Sequence, residues 1–213
     1  MTRALVTVDG IDGSGKSTFA RRLRAALDEQ GTRAVIISVD DFRCRVDWRS
    51  VDEADAYYDR YYDFARCQSC LAAFLAGTPR IDVPVWDIAS ERVVGTKPIE
   101  LAGAAIAIVE GVMPLRVPHA AAGLVVYLDV SADEARRRII ERDLQKGRTR
   151  AEIEGRIDRR YAPAQRRYHT ELAPHTRADV VIDNAGAVAR VVHCDLTRLP
   201  VGLRDVVERA LPR

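Results

Sequence analysis

The feature that most constrains this sequence is a glycine-rich stretch near its beginning, residues 10–18, which reads Gly-Ile-Asp-Gly-Ser-Gly-Lys-Ser-Thr. It satisfies the pattern G-x-x-x-x-G-K-[ST]. A short apolar, β-branched run at 4–9 precedes it, and apolar residues at helical spacing follow it. A strand, a glycine-rich loop and a helix in this order form a phosphate-binding loop, so the stretch predicts a nucleoside-triphosphate site.

Each part of this loop has a chemical reason. Glycines let the backbone curl until successive N–H groups point at one phosphate, and the following helix directs its positive end there. Lys16 supplies a mobile cation for the β- and γ-phosphates, and the Ser17 hydroxyl can ligate Mg²⁺. A glycine-rich turn without function is the alternative, which the flanking strand and helix disfavour. The residues expected to bind ATP here are Gly10, Asp12, Gly13, Ser14, Gly15, Lys16, Ser17 and Thr18.

The remaining apolar runs predict an α/β fold. Four more buried strands are expected, and helical patterns separate them. This alternation is typical of a five-stranded parallel sheet with helices on both faces, the phosphate-loop NTPase arrangement. We expect one domain over residues 1–213, since the chain is short for two. The four additional runs lie at 33–39, 104–109, 123–130 and 178–183.

Three segments lie outside these five strands and the helices between them. Residues 43–95 form an acceptor-side excursion, with one helix expected over 53–76 and an exposed hairpin over 80–94, where Pro84 disfavours a central strand. Residues 136–160 are predicted to form a basic helical lid. Residues 188–211 read as a weaker strand and a closing amphipathic helix.

Composition limits the function classes. The net charge of +2 is too small to indicate a nucleic acid or anionic membrane as partner, and no apolar run is long enough to span a membrane. The first residues pass directly into the first strand, so no signal peptide is expected, and the cytoplasm is the predicted location. A homo-oligomer remains open. The lone Cys67–Cys70 pair lies within a predicted helix, so reduced structural thiols are expected, with no metal or redox role.

Acidic residues end two of the predicted strands. Asp40 follows the second strand and Glu110 the third, and the carboxyl ends of parallel strands face the ligand crevice. Phosphoryl transfer needs a phosphate cradle, Mg²⁺ with an acidic partner, positive charge over the transferred group and a base near the acceptor. Asp40 is the candidate base, Ser17 and Glu110 are the candidate Mg²⁺ ligands, and the lid offers Arg142 and Arg148.

Two absences narrow the class. The sequence has no Asn-Lys-x-Asp guanine-reading motif, which argues against a GTPase switch. No apolar run ends in Asp-Glu, the acid pair that is usual in mechanical ATPases. A kinase acting on a small molecule fits this pattern better than a motor.

The order and spacing of six segments resemble the uridine kinase/phosphoribulokinase-like branch of such kinases. The segments are Gly-Ser-Gly-Lys-Ser-Thr (13–18), Ser-Val-Asp-Asp-Phe (38–42), Pro-Val-Trp-Asp (84–87), Ile-Val-Glu-Gly (108–111), Arg-Asp…Gly-Arg (142–148) and Ala-Asp-Val-Val-Ile-Asp-Asn (178–184). The resemblance implies that Asp40 is the base, that Glu110 helps to hold Mg²⁺, and that Arg142 and Arg148 contact phosphates. Catalytic roles are thus expected for Asp40, Lys16 and Arg142, with Asn184 among the residues that bind ATP.

The departures from that family fall in the acceptor pocket. Trp86-Asp87-Ile88 stands where uridine kinases usually have Tyr-Asp-Phe, Glu91 falls near the position of their base-reading His, and Arg43 replaces a Tyr. The acceptor is therefore left open as a nucleoside- or sugar-like small molecule. The expected acceptor-binding residues are Asp40, Arg43, Tyr58, Trp86, Glu91 and Glu110.

Two other functions remain as alternatives. The loop also resembles that of thymidylate-type nucleotide kinases, but their Arg-Glu-Pro-Gly signature is absent, and Asp-Arg-Tyr at 59–61 comes too early in the chain. A nucleotide-binding accessory protein that hydrolyses ATP slowly is the second alternative.

Overall fold

The computed structural model describes residues 2–212, whose centre is a six-stranded sheet. The strands in chain order are β1 (Ala4–Asp9), β2 (Ala34–Ser38), β3 (Arg80–Asp87), β4 (Arg92–Glu100), β5 (Ile106–Glu110), β6 (Leu124–Asp129), β7 (Val180–Asp183) and β8 (Arg190–Cys194). The main sheet has the order β2-β5-β1-β6-β7-β8. Its first five strands are parallel, as the sequence predicts, and β8 adds an antiparallel edge.

Helices cover both faces of this sheet. They are α1 (Lys16–Glu29), α2 (Glu53–Asp59), α3 (Phe64–Leu75), α4 (Pro118–Ala122), α5 (Ala132–Leu144), α6 (Arg150–Arg156), α7 (Ala162–Leu172) and α8 (Val201–Ala210). Leu23 and Leu27 of α1 and Val207 of α8 pack into a core on one face. Phe74 of α3 and Tyr168 of α7 lie in the core on the other face. Burial of the central strands on both faces explains why their sequences are mainly apolar.

The excursion differs from its prediction in one respect. A single helix was expected over 53–76, but the structure has two, α2 and α3. The Asp52 carboxylate caps the first by accepting from Ala54 N and Asp55 N, and the Asp63 carboxylate caps the second by accepting from Arg66 N. Between them, Tyr62 forms a β-bridge with Arg43. Apolar periodicity continues across this break, so the pattern alone predicts one helix. The hairpin is confirmed as β3 and β4, which pair with each other.

The lid region begins with α5, whose N-cap is Ser131. Half of a capping box is present here, because the Ser131 hydroxyl accepts from Glu134 N while the Glu134 carboxylate accepts from Arg137 and Arg138. A complete capping box joins Thr149 and Glu152 at the start of α6.

After α6, residues 157–161 form a π-helical turn before α7. Pro163 lacks an N–H and interrupts the regular hydrogen-bond ladder at this point.

Within residues 2–212, no helix has both the length and the apolar character needed to cross a membrane. Cys67 and Cys70 are buried free thiols in α3, and burial raises the pKa of Cys67 to about 12.

Candidate functional site

The phosphate loop lies between β1 and α1, and its glycines have backbone conformations that other residues rarely adopt. Gly10, Gly13 and Gly15 have φ angles of 142°, 86° and 97°. A Cβ at Gly13 would lie 2.5 Å from Ala135 O in α5, and one at Gly15 would lie 2.9 Å from Asn184 Nδ2. The loop is therefore held between the lid helix and the end of β7.

The lysine of the motif lies within the loop itself. Lys16 is 7% exposed, and its Nζ donates to Gly10 O at 2.7 Å and to Ile11 O at 2.9 Å. The Asp12 carboxylate is 4.0 Å away. Burial raises the pKa of Asp12, which the Lys16 charge opposes. These contacts fix the ammonium group beside the backbone that would surround a phosphate.

The two predicted metal ligands meet at the start of α1. Ser17 Oγ donates to Glu110 Oε2 at 2.7 Å, and Glu110 is buried at the end of β5. A hydroxyl and a carboxylate side by side are ligands that Mg²⁺ accepts when phosphate oxygens and water complete its octahedron. Within residues 2–212, no cluster of three or more His, Cys, Asp or Glu side chains could hold a metal alone. The hydroxyl and carboxylate pair of Ser17 and Glu110 suits a cation whose other ligands come from a nucleotide and water.

The hydroxyl group of Ser14 is an unpaired hydrogen-bonding group in the phosphate loop. Within the described chain its Oγ is buried and has no hydrogen-bond partner. The backbone O of Ser14 accepts from Asn184 Nδ2 at 2.7 Å, and Arg138 NH2 donates to Asn184 O at 2.8 Å. An unpaired buried hydroxyl among loop N–H groups suits a phosphate oxygen.

Asp40 directly follows β2, the strand that pairs with β5, and lies in a short 3₁₀ turn over Val39–Phe42. Its N–H donates to Ser38 Oγ, which caps this turn. Its Oδ1 is 3.1 Å from Arg43 NH2 and accepts from Tyr62 OH at 3.2 Å. Gly111 packs closely here, because a Cβ at that position would lie 3.2 Å from Asp40 N. The base candidate thus has a fixed orientation beside the end of β5.

The lid cations converge on one buried acid. Asp143 is 1% exposed, and its carboxylate accepts from Arg142 Nε at 2.8 Å, Lys146 Nζ at 3.3 Å and Arg148 NH1 at 2.6 Å. Burial raises the pKa of Asp143, but the hydrogen bond and charge of Arg142, with the other two cations, lower it overall. Three positive charges around one negative charge leave the lid with net positive charge.

A cavity of about 550 Å³ joins the phosphate loop, the Asp40 turn, the hairpin and the lid. Arg43, Trp86 and Glu91 line it, together with Asp12, Ser17 and Asp40. The lid contributes Arg142, Lys146 and Arg148. Aromatic rings form much of the acceptor side, at Trp48, Tyr57, Tyr61, Tyr62, Trp86 and Tyr161.

Tyr58 requires a correction, since it does not line this cavity. Its hydroxyl donates to Glu171, and its ring lies 3.9 Å from the Arg116 guanidinium carbon. The next-door Tyr57 faces the cavity instead, because successive residues of a helix point about 100° apart. Glu110 also lies outside the cavity lining, and its carboxylate accepts from Ser17 Oγ.

Several residues of the site are not predicted from the sequence. Tyr57 OH donates to the Asp12 carboxylate at 3.1 Å. The guanidinium group of Arg160 lies 3.4 Å from the ring centroid of Trp48 and donates to the Glu53 carboxylate. These contacts join segments more than 40 residues apart in the chain. No local pattern marks them. Asp9 could have been singled out, because it directly precedes the first glycine of the loop.

The burial of Asp9 predicts that the free energy of unfolding depends on pH. It is fully buried, accepts from Tyr168 OH at 2.6 Å and from Gly10 N at 2.7 Å, and burial raises its pKa from 3.8 to about 6. The folded chain therefore binds this proton more tightly than the unfolded chain, so the contribution is full below pH 3.8 and is lost as pH rises through about 6.

Asp9→Asn removes this titration and preserves the acceptor for Gly10 N. Relative to Asp9→Asn, the wild type should lose up to about 3 kcal/mol of unfolding free energy between roughly pH 4 and pH 7. Urea unfolding of both proteins across this range measures the difference. Parallel profiles would show that Asp9 has an ordinary pKa.

Known proteins are similar to this chain over most of its length. A model of the phosphoribulokinase / uridine kinase family matches residues 5–189. A uridine kinase of Leuconostoc citreum (strain KM20) is 26% identical over 190 residues, which span 85% of this chain and 88% of that protein.

Solved structures share the fold. A structure described as a possible uridine kinase from Bacillus stearothermophilus has a TM-score of 0.66 at 24% identity, covering 85% of this chain and 89% of the other. The D-glycerate 3-kinase of Cryptococcus neoformans has a TM-score of 0.60 at 13% identity, covering 89% and 90%.

Proposed function

We propose that this chain, which belongs to the phosphoribulokinase/uridine kinase family, transfers the γ-phosphate of ATP to a hydroxyl group of a nucleoside- or sugar-like metabolite. The observation that carries the proposal is the cavity that Ser17, Asp40 and the lid arginines line together. A phosphate cradle, a base and mobile positive charge are what in-line phosphoryl transfer needs at one place.

On the nucleotide side, the loop N–H groups and Ser14 Oγ would hold the phosphates, and Lys16 would neutralise charge on the transferred group. Ser17 and Glu110 would hold Mg²⁺, which supplies charge stabilisation when bound. Asn184 braces the loop from β7, and Gly13 contacts α5. Movement of α5 would therefore displace the phosphate loop.

On the acceptor side, Asp40 would accept the proton of the attacking hydroxyl. Arg43 and Tyr62 hold the carboxylate in one orientation. The lid cations Arg142 and Arg148 would move onto the phosphates, exchanging part of their bonding to Asp143. Trp86 and Tyr61, whose ring centroids are 6.4 Å apart, offer flat surfaces to a ring-shaped acceptor.

Acceptor-dependent ADP formation tests this proposal. Purified protein with Mg-ATP is assayed against nucleosides, nucleoside monophosphates, sugars and sugar acids, with product mass measured for every positive. A phosphorylated alcohol among the nucleosides or sugars is the expected result. Turnover confined to nucleoside monophosphates would identify a nucleotide kinase. A rate of ADP release that no added acceptor changes would identify an accessory ATPase.

A further inference from the structure

A second cavity of about 540 Å³ lies outside the proposed reaction site, between α5 and α7. Its walls are mainly apolar, from Ala135 and Ile139 of α5, Ile157 of the π-helical turn and Ile11 of the phosphate loop. Asp12 and Tyr161 border both cavities and so stand between them. Its volume is that of a site for a small molecule.

A buried polar side chain borders this apolar cavity without a partner. Gln165 of α7 is 7% exposed, and neither its Nε2 nor its Oε1 makes a hydrogen bond within the described residues. Leaving a buried amide unpaired is unfavourable, by about 1–3 kcal/mol for each polar group. Because both ends of the amide are unpaired, the argument does not depend on which end carries the nitrogen.

The apolar walls and the unpaired amide favour a neutral occupant. Asp12 and Arg166 also border the cavity, but Asp12 accepts from Tyr57 OH and Arg166 is exposed to solvent. Arg136 borders the cavity, but its guanidinium is paired with Asp158 at 2.6 Å. Burial lowers the pKa of His169, so its imidazole is neutral near pH 7. The Gln165 amide presents a donor beside an acceptor, which is complementary to a lactam or carboxamide edge.

We propose that this cavity is a binding site for a neutral, flat molecule with a lactam or carboxamide edge, whose N–H and C=O pair with Gln165 while its ring packs on the apolar walls. An occupant would contact both Ile11 of the phosphate loop and α5, the first helix of the lid region. This proposal does not rest on the proposed reaction, and its test needs no activity.

2-Pyridone, which has one lactam edge on a flat ring, is the probe. Titration into the full-length wild type, followed by ligand-observed NMR, should give a Kd on the order of 1 mM. N-methyl-2-pyridone keeps the ring and carbonyl but lacks the N–H, and it should bind at least tenfold more weakly. Gln165→Met, of similar length without the amide, should weaken 2-pyridone binding at least tenfold and raise Tm.

Two further variants keep the result interpretable. Ala162→Leu fills the cavity without touching the amide and should also abolish binding, whereas Trp86→Ala, on the other cavity, should leave the Kd unchanged. An ordered water satisfying Gln165 would leave the wild type without measurable 2-pyridone binding. That result, or equal binding by the wild type and Gln165→Met, would overturn the proposal.

Discussion

Replacing Lys16 by methionine is expected to lower kcat by about 10³-fold, corresponding to about 4 kcal/mol of lost transition-state stabilisation. Methionine retains the length and much of the apolar stem, so the substitution removes mainly the ammonium group. In the structure that group is held against the loop by Gly10 O and Ile11 O. The charge is therefore preorganised beside the proposed position of the transferred phosphate.

Lys97→Met is the matched control, because Lys97 is an exposed hairpin lysine that pairs with Asp41 away from the loop. It should retain wild-type kcat within about twofold, since exposed ion pairs contribute about 1 kcal/mol or less. Both variants are compared by steady-state kinetics with an accepted substrate, and circular dichroism verifies their folding. A Lys16→Met enzyme that kept more than a tenth of wild-type kcat would contradict this role.

The sequence predicts the part of the site that depends on neighbouring residues along the chain. The phosphate loop carries its chemistry within residues 10–18, so its strand, turn and helix follow from local rules. Asp40 and Glu110 are also predictable, because each ends an apolar run and parallel strands share an edge. The register of β2 on β5 places Ser38 opposite Glu110, which brings the two acids to that common edge.

Contacts between distant segments are what the sequence leaves undetermined. Helical periodicity over 53–76 identifies an apolar face, but it does not show that Asp63 begins a second helix or that Tyr57 rather than Tyr58 faces the cavity. Which of the two tyrosines faces the cavity depends on the rotation of α2 about its own axis, since successive helical residues point about 100° apart. The packing of α2 against the π-helical turn and α7 sets that rotation. The strand order is likewise a property of the assembled sheet.

Burial also changes the meaning of individual residues. Asp143 looks like one of many charges on a basic lid, yet it is buried and gathers three cations. Gln165 looks like an ordinary helix-surface residue, yet it is buried beside an apolar cavity. In both cases the sequence shows the residue type, while the surrounding helices determine its electrostatic environment.

Asp40→Asn is the second large effect, with kcat expected to fall by about 10²- to 10⁴-fold while ATP affinity changes little. The substitution preserves shape and an oxygen that can accept from Tyr62 OH, but it removes the carboxylate that would take the proton of the attacking hydroxyl. Because Asp40 lies on the acceptor side of the cavity and ATP is assigned to the loop, the defect should appear in transfer rather than in nucleotide binding.

Asp41→Asn separates this chemistry from the structure of the turn. Asp41 is the adjacent residue of the same 3₁₀ segment, but its carboxylate pairs with Lys97 and not with Arg43. It should turn over within about twofold of the wild type, because only a partly exposed ion pair is lost. Single-turnover phosphorylation and calorimetric ATP titration of all three proteins give the comparison. Equal transfer rates for Asp40→Asn and the wild type would exclude Asp40 as the base, even if Lys16→Met were inactive.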